Sequence, residues 1–217
     1  MNDMKAVVLG GSRGIGKAIS ESLKTLNIEV IATSKSDIDT SNLESVRNFA
    51  QKYNKMDILV LNTGGPPVID FNKISENDWN HYHNQLFVGF CTLLQKISIN
   101  DNGYVFVITS NVIKEPNSKL IISSAYRTAF ASVFKILSNE FAKRQISCIN
   151  IAPGPINTDR TKELVTNVSE FEDTLPMKRL GKPEEIGNFV KSIVENNIKY
   201  LSGVVINFDG ANSNFVF

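Results

Sequence analysis

Apolar and polar positions along this chain follow two alternating rhythms. Short, nearly unbroken apolar runs occur at residues 6–9, 28–32, 58–61, 104–109, 146–151 and 204–208. Such runs, without polar alternation, suit strands covered on both faces. Between them apolar residues recur at helical spacing, first at Ile15, Ala18, Ile19, Leu23 and Leu26. Further helical stretches are predicted at 43–53, 76–99, 123–143 and 184–195, the last behind Pro183, which suits a first helical turn. Regular βα alternation predicts an α/β protein with a doubly wound parallel sheet, Rossmann-type, in a single domain over 1–217. In such sheets a ligand binds at the carboxyl ends of the strands, where the strand order reverses.

Composition narrows the picture. A chain of 217 residues, 42% hydrophobic and 21% charged, can bury a full-sized core. Its net charge of +1 gives no electrostatic reason to expect nucleic acid or an anionic membrane as partner. No apolar run approaches the length of a membrane span. The chain enters its first strand without a cationic leader, so the expectation is a cytoplasmic protein. Cys91 and Cys148 lie far apart in apolar segments and read as buried thiols. His81 and His83 have no matching acid or thiol cluster, so they read as surface or packing residues and no metal site is expected.

The most informative chemistry sits after the first strand, in Gly10-Gly11-Ser12-Arg13-Gly14-Ile15-Gly16. Glycine permits positive φ and close backbone approach. A helix start aims free N–H groups and partial positive charge at its ligand. With a second strand at 28–32, the unit has the length of a dinucleotide-binding βαβ.

Other strand-end residues then fall in a recognisable order. They are Asn62-Thr63-Gly64, Pro153-Gly154-Pro155-Ile156-Asn157-Thr158, Arg179-Leu180-Gly181-Lys182-Pro183-Glu184-Glu185-Ile186, and Leu201-Ser202-Gly203 followed by Asp209-Gly210. From residue 5 to about 212 the chain resembles the short-chain dehydrogenase/reductase family. The resemblance implies about seven strands, an NAD(P) cofactor, and a homodimer or homotetramer whose faces would be the helices at 76–99 and 123–143. The family's third strand would be abbreviated, since only residues 36–40 are left for it. Cofactor contacts are implied for Gly10, Ser12, Arg13, Gly14, Ile15, Gly16, Asn62, Thr63, Gly64, Pro153, Gly154, Ile156 and Thr158.

After the second strand stand Thr33-Ser34-Lys35 in place of the carboxylate that would hold a ribose 2′-OH. Arg13, Ser34 and Lys35 therefore favour NADP over NAD, although Asp37 and Asp39 are close by. By its distance from the next helix, Asp39 resembles the family's adenine-contacting aspartate, with Ile38 beside the ring. Lys35 reads either as a phosphate contact or as an ordinary solvated lysine.

The family's catalytic Tyr and Lys lie four residues apart on one helix, with a Ser at the preceding strand end and an Asn on an earlier helix. Ser110 matches the serine, or else merely closes a turn. Reading back from Pro153-Gly154 puts Ser123 at the Tyr position and Arg127 at the Lys position. Counting from Trp79 puts Leu86 at the Asn position. An Arg at the lysine position and the segment Lys114-Glu115-Pro116 resemble a divergent subgroup. Ser123 has no ionisation near neutral pH. Arg127 keeps its charge and can grip ribose hydroxyls or an anionic substrate group, and it is also a cofactor contact. Tyr126 is either a replacement acid or a packing residue paired with Phe130.

The residues leave open an NADP-dependent oxidoreductase of a small carbonyl or alcohol, a non-catalytic NAD(P)-binding sensor or assembly partner, and another reaction using Ser110 and Arg127 as an oxyanion site. The polar segment at about 159–176 is expected to form a short substrate lid, suited to a small substrate.

Overall fold

The computed structural model describes residues 4–216. Six parallel strands form one sheet: β1 (Lys5–Val8), β2 (Glu29–Ala32), β3 (Lys55–Leu61), β4 (Ser98–Ile108), β5 (Ser147–Pro153) and β6 (Val204–Phe208), in the order β2-β1-β3-β4-β5-β6. The helices are α1 (Gly14–Lys24), α2 (Leu43–Lys52), α3 (Glu76–His83), α4 (Gly89–Lys96), α5 (Ile121–Ala142), α6 (Asp159–Leu164), α7 (Val168–Thr174) and α8 (Pro183–Glu195).

The sheet separates two apolar layers because side chains alternate along each strand. Val7, Leu9, Leu59, Leu61, Val105, Val107 and Cys148 point to one face, where they meet Val46, Phe49, Phe90, Leu93, Phe130 and Phe134. Ala6, Val8, Ile58, Val60, Phe106, Ile149 and Ile151 point to the other, against Ile19, Leu23, Ile186 and Val190 of α1 and α8. Every strand from β1 to β5 except β2 is thus sealed on both sides, which is why its sequence lacks polar alternation.

Three expectations need correction. The predicted helix over 76–99 is broken. The α3 stretch gives way to a wide π-turn at Asn84–Val88, α4 ends at Lys96, and Ile97 is already extended. The fourth strand begins at Ser98, six residues before the apolar run, because residues 98 and 99 pair with 55 and 56 across a bulge. Residues 36–40 form no strand; they are mostly turns, so six strands stand among the described residues and β2 is an edge. The open edge explains the half-exposed Val30 and Ile31 and a cavity of about 810 Å³ between β2 and α2.

Both cysteines are free; Cys148 is buried and Cys91 half-buried. Among the described residues no helix is long and apolar enough to cross a membrane.

Candidate active site

The strand ends from β1 to β5 gather the loops around one cleft. At its β1 side the chain turns through Gly10 (φ +58°) and Gly14 (φ +53°), both in the left-handed region that a Cβ penalises. The Gly11 amide is fixed to Thr33 O at 2.7 Å. Arg13 holds the N-cap position of α1 in extended conformation, and no side chain accepts from the first-turn amides. Ser12 and Arg13 are exposed there, while Gly16 is buried below. An uncapped helix start behind a bare glycine turn fits a diphosphate.

Asn62, beyond β3, reaches back so that its Nδ2 donates to Gly10 O at 3.3 Å. From the far side, Thr158 Cγ2 would lie 3.3 Å from a Cβ on Gly14, so the loop after β5 closes against the glycine turn. That loop is pinned by Asn157 N to Gly181 O at 2.8 Å and Gly181 N to Pro155 O at 3.0 Å, with Ile156 buried behind. Pro153 and Gly154 lead into it, and Gly154 N donates to Phe208 O. The predicted cofactor residues of the first, third and fifth strand ends are therefore brought together.

Beyond the end of β2, Asp37, one of the two acids noted beside Lys35, is tied into a turn. Its carboxylate accepts from Ser34 N at 2.8 Å and Ser34 Oγ at 2.7 Å, and these bonds hold it below the usual carboxylate range. The exposed Lys35 lies 3.4 Å from the half-buried Asp39. Burial pushes the Asp39 carboxyl up, but hydrogen bonds from Ser41 and the charge of Lys35 outweigh it and leave it lowered. Ile38 is buried in the core with Leu9 and Phe90.

Ser110 follows β4. It is positioned by Thr109, whose Oγ1 donates to Asn150 Oδ1 at 2.5 Å on the neighbouring strand. The Ser110 hydroxyl accepts from Val112 N at 3.4 Å, capping the short turn Asn111–Ile113. Opposite lie the first turns of α5. Ser123 and Arg127 are both buried, one helical turn apart, and Arg127 Nε donates to Ser123 Oγ at 3.2 Å. Arg127 then spans two strand ends: Nη1 donates to Ile108 O at 3.0 Å and Nη2 to Thr63 O at 3.3 Å. Every one of these acceptors is neutral. Burial, reinforced by the charge of Arg160, pulls the Arg127 guanidinium down from 12.5 to about 10.

Tyr126 precedes Arg127 on α5 and is half-buried. Its ring packs edge-on to Trp79 at 5.8 Å and against His83 at 5.3 Å, and burial raises its phenol above the ordinary value of 10.0. These are the contacts of a packed ring, and His83 also stacks on Phe87.

Leu86 stands at the position counted for the family's Asn. It is fully buried in the core, whereas Gln85 reaches the cleft and donates from Nε2 to Thr63 Oγ1 at 3.2 Å and Gly64 O at 3.0 Å. The π-turn at Asn84–Val88 breaks the regular helical period at this point. No sequence period signals that turn.

Over the cleft, the segment expected as a lid forms α6 and α7, capped by Thr158 and Asn167. Arg160 on α6 donates from Nη2 to Pro66 O, across the cleft mouth.

Comparisons with known proteins fit this architecture. The family model described as "Enoyl-(Acyl carrier protein) reductase" (adh_short_C2) matches residues 39–211. The 3-oxoacyl-[acyl-carrier-protein] reductase FabG of Buchnera aphidicola is 29% identical over 233 residues, covering 94% of this chain and 95% of that protein. The NADPH-dependent reductase BacG of Bacillus subtilis is 25% identical, covering 97% and 98%. Among solved structures, a blue fluorescent protein from a metagenomic library in complex with NADPH superposes with a TM-score of 0.88 at 20% identity, over 98% of this chain and 99% of that one. Sequence motifs, strand order and a family match over most of the chain agree: the protein belongs to the short-chain dehydrogenase/reductase family.

Proposed function

We propose that this protein is an NADP-dependent oxidoreductase acting on a small carbonyl compound or alcohol, with an atypical catalytic set. The observation that carries the reading is the uncapped start of α1 behind the left-handed Gly10 and Gly14. Its amides and those of the glycine turn would hold the diphosphate. Arg13, Ser34 and Lys35 would meet the 2′-phosphate, and Asp39 the adenine; the NADPH-dependent BacG and the NADPH complex of the fluorescent protein support that choice. The chemistry such a dinucleotide supplies when bound is hydride transfer.

The chain's own residues supply less than the family's usual set. The Ser110 hydroxyl would donate to the substrate oxygen and polarise it. Ser123 can hold a hydrogen bond there, but it is no tuned acid. Arg127 would keep its charge beside both. Loss of a positioned general acid removes about 10²–10⁴ in rate, so slow turnover is expected. The two long helical stretches remain our proposed faces for a homodimer or homotetramer; Ile136 on α5 is 67% exposed, which favours a partner there.

The test is steady-state oxidation of NADPH across a panel of small aldehydes and ketones. At least one should raise turnover above that of Ser110→Ala. A second reading is favoured by the neutral Ser123 in the acid's position: a non-catalytic NAD(P)-binding protein. It predicts NADPH affinity with no carbonyl raising turnover at all.

A further inference from the structure

Two guanidinium groups converge on the loop after β3. Arg127 reaches Thr63 O from α5, and Arg160 reaches Pro66 O from α6, three residues further along the same loop. Their charges are close enough that Arg160 depresses the Arg127 guanidinium. Like charges are not brought to one loop without a reason.

Counter-charge is scarce. Among the described residues Arg127 has no carboxylate within ion-pair distance, though it is only 7% exposed. Its three hydrogen bonds use Nε–H and one N–H on each terminal nitrogen, so two of its five donors remain. Arg160 has only Glu163, one turn along α6 at 3.3 Å, whose side chain is 62% exposed. Ribose hydroxyls would satisfy spare donors yet bring no negative charge, and an oxidised nicotinamide ring is itself cationic.

We propose that the pocket binds a substrate carrying an oxyanion, a carboxylate or a phosphate, clamped between Arg127 and Arg160 beside the group that Ser110 polarises. This deepens the oxidoreductase reading and rests on it for the identity of the pocket. The guanidinium fork matches both anions, and charge-assisted hydrogen bonds are the strong ones. Arg160 lies on the lid segment, so the same anion would tie α6 down over the cleft. The clamp assigns Arg160 a specificity role that its sequence position alone does not suggest.

The experiment is isothermal titration of the NADPH-loaded protein with malonate, inorganic phosphate and the neutral isostere malonamide. Malonate or phosphate should bind at least tenfold tighter than malonamide; the tighter of the two identifies the headgroup. Arg160→Gln should weaken that anion about tenfold or more and leave NADPH affinity within about twofold. Arg160→Lys should recover part of the loss. Equal binding of malonate and malonamide, no binding of either anion, or an unchanged anion affinity in Arg160→Gln would each overturn the clamp. Failure to bind NADPH would strike the oxidoreductase reading alone; the same titrations on cofactor-free protein then decide the clamp.

Discussion

Replacing Arg127 by methionine separates a residue kept for ligand from one kept for the fold. The drop of its guanidinium from 12.5 to about 10 corresponds to about 3 kcal/mol of unfavourable interaction with the charged form. Arg127→Met removes that cost. It also strips hydrogen bonds from Ile108 O, Thr63 O and the rotatable Ser123 hydroxyl, at about 1–3 kcal/mol for each carbonyl left unsatisfied. Both carbonyls end strands at the cleft, where water can replace part of the loss. With water at each carbonyl the loss falls to the low end, about 2 kcal/mol for the two, so the effects nearly cancel and the net change is about 1 kcal/mol or less. For a domain of this size that is a Tm shift of no more than about 4 °C. An arginine held in a conventional buried ion pair would instead cost about 3–5 kcal/mol when removed. The assay is thermal unfolding followed by circular dichroism at pH 7, on cofactor-free protein. A fall in Tm of more than about 6 °C would refute the reasoning, because Arg127 would then be a structural anchor.

Two further perturbations probe the cofactor cradle. A Cβ on Gly16 would come within 2.8 Å of both Asn62 Nδ2 and Gly10 C, so Gly16→Ala should cost about 1–3 kcal/mol in thermal unfolding and weaken NADPH at least tenfold in fluorescence titration. Unchanged affinity would mean the diphosphate lies elsewhere. Arg13→Ala combined with Lys35→Ala should lower NADPH affinity about tenfold or more while NADH stays within about twofold. Equal losses for both nucleotides would remove the assignment of these cations to a 2′-phosphate.

The sequence made the sheet and its principal helices legible because burial on both faces leaves a strong mark: the runs at 58–61 and 146–151 could only be covered strands. It was less informative where geometry departs from a regular period. Residues 98–100 extend β4 with a polar, unremarkable sequence, and pairing with β3 decides their state. At the π-turn Asn84–Val88, Gln85 reaches Thr63 while Leu86 lies in the core, an arrangement that helical periodicity does not signal. The glycine turn was readable from residue types alone, since few other functions need that density of glycine before a helix. The convergence of Arg127 and Arg160 was not, because Arg160 meets a carbonyl 94 positions away in the chain. What Asp37 bonds to was not legible for a local reason: its bonds to Ser34 form only once residues 34–37 close a turn.

The central claim is that the start of α1 and the loops around it hold a pyridine dinucleotide, in its 2′-phosphorylated form. Calorimetric titration of the purified protein with NADPH and with NADH tests it most directly. The account predicts one site per chain and at least tenfold tighter binding of NADPH. Absence of binding by either nucleotide would contradict it.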